Sequence, residues 1–339
     1  MAELLRILSE TNGVSGNEHL IRDVIIDAIK NDVDNITVDS MGNIIAYKKG
    51  KDSSKKIVVT ANIDEPGFIL SDITDKGYLK FKAVGNIDPR KIISKKVVVG
   101  EDKVKGIIGM KAIHLQTKSE RENVVAVSKL FIDIGAKNKA SAEKRVKKGD
   151  YITFDTDFEK IGDNVKGKAL DRNGVCYSLI NALKGEFPYD VYALFLVQHE
   201  VGARGAKIAS HRVNPDVVLT VSSADTTDMY GCDDVNSGAN LGDGVVINYA
   251  DKTVIADKKM TDFMAECAKE AEIRHQVKVL KSDGSDSGAM QTSGDGTPCL
   301  NAVLPCRYSH SPVSLMSLAD IDSMTQYISL FLNKIGEMI

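Results

Sequence analysis

The sequence has no tryptophan, only seven prolines and few aromatic residues, which make up 6% of its 339 positions. It also lacks a long apolar run. The longest clean runs are strand-sized, such as residues 191–197, whereas a membrane-spanning helix needs about 20 apolar residues. Residues 1–6 have an acid at the third position and no apolar stretch of the kind that opens a signal peptide. We therefore expect neither a membrane span nor a secretory leader.

Cysteine pairs and excess basic charge are absent as well. The five cysteines are odd in number and contain no C-x-x-C pair, which argues against a disulfide framework and favours a reducing compartment. Lys and Arg number 44 against 47 Asp and Glu, so the net charge of -3 gives no basic surface for nucleic acid. We expect a cytoplasmic protein with no nucleic-acid or membrane partner.

Apolar periodicity predicts an α/β domain interrupted by a β-rich segment. Residues 1–70 and 165–339 alternate short apolar strands, such as 191–197, with helical patterns, such as 261–273. Between them, residues 71–164 contain short strands separated by glycines and charged turns. The predicted fold is therefore an α/β domain, residues 1–70 and 165–339, split by a β-rich insertion.

One local signal concerns the start of the second helix. Ser15 and Glu18 form a Ser-x-x-Glu pattern just before the helical pattern of residues 21–29. Such a pattern is typical of a capping box, in which each side chain bonds the other residue's backbone N–H. We predict this capping role for Ser15.

Polar residues with catalytic chemistry follow three of the predicted strands. Ligands of open α/β sheets bind outside the carboxyl ends of the strands, so these residues are candidates for one site. They are Asn62 and Asp64, His199 and Glu200, and Ser222 and Asp225. Asp171 and His310, from two further polar segments, complete a set that is typical of a hydrolytic metal site.

Eight segments, in order along the chain, carry a resemblance to a known family. They are 13–18 (GVSGNE), 39–43 (DSMGN), 64–68 (DEPGF), 105–109 (KGIIG), 133–136 (DIGA), 167–172 (GKALDR), 200–206 (EVGARGA) and 307–312 (RYSHSP). With them the sequence resembles the tetrahedral-assembly (TET-type) aminopeptidases, the glutamyl-aminopeptidase and cellulase-M-like family of dinuclear zinc metallopeptidases, over nearly its whole length. The resemblance implies a zinc-exopeptidase-like fold, in which a mixed sheet is flanked by helices, and an inserted β-barrel-like domain that is used in dimerisation. It also implies oligomers from dimers to dodecamers that act on peptides.

The resemblance also implies roles for individual metal ligands. Asp171 matches the Asp that bridges the two metal ions of the family, Glu200 matches the metal-binding Glu, and His310 matches the metal-binding His of the second site. Three protein ligands with an open fourth position form a workable catalytic zinc shell. This second site is therefore complete in the sequence.

The first metal site departs from the family pattern. Asn62 stands where the family has His, and Ser222 stands where it has a second Asp, with Asp225 as the alternative if the loop is shifted. An amide oxygen and a hydroxyl are weak ligands for zinc. We therefore expect one zinc or cobalt ion per chain and an empty first site.

The residue at the general-base position also differs from the family pattern. His199 occupies the position of the family's general base, a glutamate, directly before Glu200. It can act as a general base, or as an imidazolium that stands in for the missing metal charge. Asp64 would orient the family's first-site His, and with Asn62 in that place it is left to bond a backbone amide.

A glycine-flanked segment, residues 284–288 (GSDSG), lacks the spacing of a phosphate-binding loop. It is similar to a Thr-Asp-Ala stretch of the family near the substrate cleft. We assign it no catalytic role from the sequence.

Two functions remain open at this point. The first is an aminopeptidase-like hydrolase in which one metal, held by Asp171, Glu200 and His310, polarises the scissile carbonyl while His199 takes a proton from water. The second is a catalytically inactive relative that serves as a peptide-binding or assembly subunit, because three groups of the reaction centre are replaced. Each predicts a homo-oligomer, and they differ in whether peptide is cleaved.

Overall fold

The architecture is an α/β domain that carries a closed β-barrel within its chain. The computed structural model describes residues 2–232, 238–280 and 284–339. The helices of these ranges are α1 (Ala2–Glu10), α2 (His19–Ile29), α3 (Pro89–Ile92), α4 (Lys118–Glu122), α5 (Lys139–Glu143), α6 (Leu170–Ala182), α7 (Arg204–Val213), α8 (Lys258–Glu270), α9 (Ser287–Gln291) and α10 (Leu318–Lys334).

The strands belong to three sheets. They are β1 (Asn35–Val38), β2 (Ile44–Lys48), β3 (Asp52–Asn62), β4 (Gly67–Ile73), β5 (Leu79–Val84), β6 (Lys96–Val99), β7 (Val104–Gly109), β8 (Phe131–Asp133), β9 (Tyr151–Phe154), β10 (Glu159–Ile161), β11 (Asn164–Gly167), β12 (Tyr189–Leu196), β13 (Val217–Asp225), β14 (Val245–Asn248), β15 (His275–Lys278), β16 (Cys299–Cys306) and β17 (Ser314–Ser317). The smallest sheet pairs β10, β11 and β17.

The large sheet has eight strands in the order β1-β2-β12-β3-β13-β16-β14-β15. Its four central strands, β12, β3, β13 and β16, are parallel to one another, while β2 and β14 run antiparallel to them. Every residue of β16 is buried. That pattern is expected of a parallel strand covered on both faces, and it confirms the predicted mixed sheet.

Helices cover both faces of this sheet. Helices α1, α2, α6, α8 and α10 share one apolar core with Val59 of β3, and helices α7 and α9 share another with Val58. Neighbouring residues of a strand point to opposite faces, so these two valines lie in different cores. The parallel strands are therefore covered by helices on both faces.

The β-barrel lies between β3 and α6. Its six strands close in the order β4-β5-β8-β7-β6-β9 with antiparallel pairing throughout. The rings of Phe81 and Phe154 pack edge-on against Phe68 inside it, with centroids 4.9 and 5.5 Å away. The barrel therefore has an apolar core of its own and confirms the predicted β-barrel-like insertion.

The predicted capping box is not formed. Glu18 occupies the position before α2 but makes no capping hydrogen bond, and Ser15 Oγ donates to Asp64 Oδ2 at 2.6 Å. The hydroxyl of Ser15 therefore bonds a carboxylate that is distant in sequence, and not the N-terminus of the helix that the local pattern predicted.

Two further observations concern the chain as a whole. All five cysteines are free thiols. No helix in the described ranges combines the length and apolar character needed to cross a membrane.

Candidate active site

The carboxyl ends of the four parallel strands meet at one edge of the large sheet. Asn62 ends β3, Glu200 follows β12, Ser222 lies near the end of β13, and His310 follows β16. Asp171 joins them from the first turn of α6. All five residues line one cavity of about 470 Å³, so the fold brings together residues that are up to 248 positions apart.

Unusual backbone conformations cluster around this cavity. Ala169, Gln198 and His310 have φ values of 50°, 56° and 50°, in the left-handed region that residues with a side chain rarely adopt. Such strain concentrates at functional sites because the surrounding structure must enforce it. Each of these residues is a candidate ligand itself or lies within two positions of one.

The turn that carries His199 and Glu200 is held by buried side chains. The backbone N–H groups of residues 197–200 donate, in order, to Asn43 at 2.9 Å, to Glu18 at 3.1 Å, and to the two carboxylate oxygens of Asp64 at 2.9 and 3.0 Å. Four successive backbone donors are therefore satisfied by side chains. This arrangement fixes the turn although Gln198 is in a strained conformation.

Asp64 acts as an anchor of this turn. Its side chain is fully buried and also accepts the hydroxyl of Ser15. Burial raises the pKa of Asp64, an effect that is partly offset by the nearby imidazole of His199 and by the hydrogen bond from Ser15. The predicted backbone hydrogen bond is present twice, to His199 and Glu200.

The three predicted metal ligands approach one another. His310 Nε2 lies 3.3 Å from Glu200 Oε1 and 4.0 Å from Asp171 Oδ2. Within the described ranges, no three His, Cys, Asp or Glu side chains already stand in the arrangement that a metal ion requires. The three side chains are thus neighbours in the cavity, with His310 shared between two carboxylates.

The charges of these three side chains affect the pKa values of His310 and Asp171. The hydrogen bond to Glu200, together with the charges of Glu200 and Asp171, raises the pKa of His310 to about 9 despite burial. Burial raises the pKa of Asp171, and the charge of His310 partly offsets this.

His199 has a buried acidic partner. Its Nδ1 lies 3.0 Å from Asp286 Oδ1, and the side chains are 25% and 3% exposed. Burial alone would lower the pKa of His199, but the carboxylates of Asp286, Asp64 and Glu200 outweigh it and raise this pKa to about 10. The sequence did not identify Asp286 as a site residue, and the only signal was its place in the glycine-flanked segment of residues 284–288.

The first-site positions carry neutral side chains. Asn62 Nδ2 donates to the backbone oxygen of Asp64 at 3.2 Å, and Ser222 lines the cavity three residues before Asp225. Asp225 also lines the cavity and accepts the backbone N–H of Ser309 at 2.8 Å. Its carboxylate therefore helps to position the loop that leads to His310.

A second cavity, of about 650 Å³, adjoins the first. It shares His199, Glu200 and His310 with the first cavity and carries the exposed ammonium groups of Lys207 and Lys252. Glu200 and His310 thus line both cavities, whereas Asp171 lines only the first. This arrangement leaves room for an extended ligand on either side of Glu200.

Comparison with known proteins agrees with this architecture. The family model of the M42 glutamyl aminopeptidases matches residues 42–327. A candidate aminopeptidase of Acetivibrio thermocellus is 37% identical over 97% of both chains. The structure of a TET aminopeptidase from a marine sediment archaeon of the Thaumarchaeota superposes with a TM-score of 0.95, at 29% identity and 99% coverage of both chains.

A further solved structure concerns assembly. The Pyrococcus horikoshii TET1 peptidase, which can assemble into a tetrahedron or a large octahedral shell, has a TM-score of 0.86 and 30% identity, covering 98% of this chain and 99% of that one. The match of the family model over most of the chain, together with these likenesses along its full length, shows that the chain belongs to the M42 glutamyl aminopeptidase family.

Proposed function

We propose that this protein is a metallo-aminopeptidase that removes residues from the N-termini of peptides and uses one metal ion per chain. The observation that carries the proposal is the convergence of Asp171, Glu200 and His310 at the junction of two cavities. Ligand atoms of a tetrahedral zinc site with bonds of about 2.1 Å lie about 3.4 Å apart. The 3.3 Å separation of His310 and Glu200 fits this value, and Asp171 is farther by less than a bond length.

The donor chemistry also fits a zinc or cobalt ion. Two carboxylates and one imidazole are ligands that both ions accept, and the burial of the carboxylates favours a bound cation as their counter-charge. When bound, the ion would supply a Lewis acid that polarises the scissile carbonyl. Asp64 fixes the backbone of Glu200, and Ser309 is fixed by Asp225 next to His310.

We assign proton transfer to His199. Its Nδ1 is engaged by Asp286, so Nε2 is the nitrogen available to a reactant in the cavities that the ring lines. Its position beside Glu200 is set by Asp64 through the backbone. Because its pKa is raised to about 10, the ring holds a proton near neutral pH and can donate it during peptide hydrolysis, a contribution of about 10²- to 10⁴-fold in rate.

The first metal position does not suit a cation in this chain. Asn62 and Ser222 have no charge, and the amide nitrogen of Asn62 is already bonded to the backbone of Asp64. A metal ion there would have Asp171 as its one strong ligand among these three positions. We propose that this position is not used.

We further propose that the chain forms a homo-oligomer through its barrel. The connection from β7 to β8 exposes Ile113, Leu115 and Val124, each at 59% or more of its surface. Exposed apolar groups of this size favour an interface. The octahedral and tetrahedral assemblies of the Pyrococcus horikoshii TET1 peptidase support a second copy of the chain as the partner.

Metal content and peptide cleavage, measured on the same preparation, test the proposal. Protein purified without chelator and incubated with excess zinc or cobalt is expected to hold about one ion per chain, and His310→Ala should lose it. The double variant Asn62→His/Ser222→Asp restores the family's first-site ligands and should bind about two. A peptide with a free amino terminus should be shortened stepwise, while its N-acetylated form should not.

Two outcomes would overturn the single-metal enzyme. No bound metal after incubation with excess zinc or with excess cobalt would exclude a single-metal enzyme. Robust metal binding without cleavage of any free-amino peptide would favour the alternative, an inactive relative that binds peptides or serves in assembly. The observation that supports this alternative is the presence of Asn62 and Ser222 in place of two first-site ligands of the family.

A further inference from the structure

A buried polar cluster packs against the active site but contains none of the proposed metal ligands. Ser285, Asp286, Ser287 and Asn301 are between 0% and 6% exposed. Burying such groups costs free energy unless their hydrogen bonds are satisfied. The cluster must therefore be either a purely structural element or a support for something in the adjoining cavity.

Hydrogen bonds fix the two neighbours of Asp286. Ser285 Oγ donates to Asp251 Oδ2 at 2.6 Å, and Asn301 Nδ2 donates to the same oxygen at 3.2 Å. Ser287 is hydrogen-bonded to Asn301. The side chains before and after Asp286 are thus tied to one network that reaches the sheet through β16.

Two glycines bring this segment close to a neighbouring loop. Gly284 has φ of 105°, and a Cβ there would lie 2.4 Å from Thr253. At Gly288 a Cβ would lie 2.6 Å from the same threonine. Any side chain at either position would push the segment away, so the glycines allow a contact that holds Asp286 in place.

The carboxylate of Asp286 is not used by its own helix. Asp286 occupies the N-cap position of α9, where an Asp side chain commonly accepts a backbone N–H, but it makes no such bond. Its Oδ1 lies 3.0 Å from His199 Nδ1 instead. Local helix stability therefore does not account for this carboxylate, whereas the orientation of His199 does.

We propose that Asp286 is a positioning residue for His199: it binds Nδ1 of the ring and thereby directs Nε2 toward the cavities. The network of Ser285, Ser287 and Asn301 holds the carboxylate in place. This inference rests on the proposed function in one respect, namely that His199 moves the proton. The analogous loss of an orienting carboxylate in a carboxylate–histidine pair leaves the imidazole in an unproductive state.

Crystal structures of the protein and of three variants test the placement of the ring without any need for activity. Asp286→Ala is expected to release the His199 ring from its position, and Asp286→Glu to retain a carboxylate contact at Nδ1. Asp320→Asn is the control, because Asp320 is an equally buried carboxylate that binds the N–H groups of Gly242 and Gly244. An unchanged ring in Asp286→Ala would overturn the proposal, whether or not the protein cleaves peptides.

Kinetics separate positioning from a merely structural effect. The isosteric Asp286→Asn variant is expected to lower kcat about tenfold or more, with little change in KM. In a His199→Ala background the same substitution should have no further effect, because Asp286 acts through His199. Additive losses in the double variant, or a loss in KM alone, would contradict the assignment.

Discussion

The carboxylate of Asp64 accepts the backbone N–H of His199 at 2.9 Å, with its other oxygen on the N–H of Glu200 at 3.0 Å. The family resemblance associated Asp64 with a histidine that this chain lacks. In the structure the residue has a task that does not depend on that histidine, since it fixes the turn that carries His199 and Glu200.

The first prediction concerns this anchor. Asp64→Ala removes the acceptor of three hydrogen bonds, so we expect it to lower the free energy of unfolding by about 3 kcal/mol or more. Ser15→Ala removes only one of these donors and should cost about 1 kcal/mol. Urea unfolding of both variants measures the difference. Equal losses would show that the two backbone hydrogen bonds contribute nothing.

The sequence predicted the positions at the sheet edge well, for a physical reason. Asn62, Glu200 and His310 follow apolar runs, and the carboxyl ends of parallel strands meet at one edge. That topology made the prediction of a shared site possible before any distance was known. Short strands separated by turn residues predicted the β-rich insertion, and the family resemblance predicted its barrel-like form.

Long-range polar contacts were not predictable in the same way. Ser15 matched a local capping pattern, but its hydroxyl bonds Asp64, 49 positions away. Asp286 and His199 are 87 positions apart and share no periodic signal. In both cases a side chain that is distant in sequence takes the place of the local helix-capping partner, and only the folded structure shows which side chain is near.

A buried ion pair lies beside the site. Lys168 Nζ is 2.7 Å from Glu65 Oε1, and each side chain is 4% exposed. Burial alone would raise the pKa of Glu65, but the cations of Lys168 and Arg172 outweigh this and hold it below its ordinary value. Burial lowers the pKa of Lys168 despite its partner.

The second prediction follows from this pair. Lys168→Met leaves the charge of Glu65 buried without its ammonium and should destabilise the fold by about 3–5 kcal/mol. Lys166→Met is the control, since Lys166 pairs with a Glu159 side chain that is 57% exposed, and it should cost less than about 1 kcal/mol. Similar losses of unfolding free energy in Lys168→Met and Lys166→Met would show that burial of the ion pair does not increase its effect on stability.

The same pair predicts a dependence on pH. A carboxyl group whose pKa is lower in the folded state adds stability above its unfolded pKa, here 4.5, and this stability is lost as the pH falls through the folded value. The double variant Glu65→Gln/Lys168→Met should therefore lose less stability than the wild type as the pH falls below 4.5. If the free energy of unfolding falls with pH to the same extent in the wild type and the double variant, Glu65 does not contribute to the pH dependence of stability.

The third prediction tests the proposed oligomer through the barrel surface. Ile113 and Leu115 are 68% and 62% exposed on the connection from β7 to β8. Ile113→Asp/Leu115→Asp places two charges where an interface would exclude water, so the mass measured by light scattering should fall at least by half if a second copy binds there.

Val38→Asp/Ile161→Asp is the matched control, because those residues are 42% and 51% exposed on β1 and β10, outside the barrel. Since all four positions are exposed, each double variant should keep the circular dichroism of the wild type, so a change in mass reports association and not folding. An unchanged mass in the first variant, or the same decrease in both, would exclude this surface as the contact between copies.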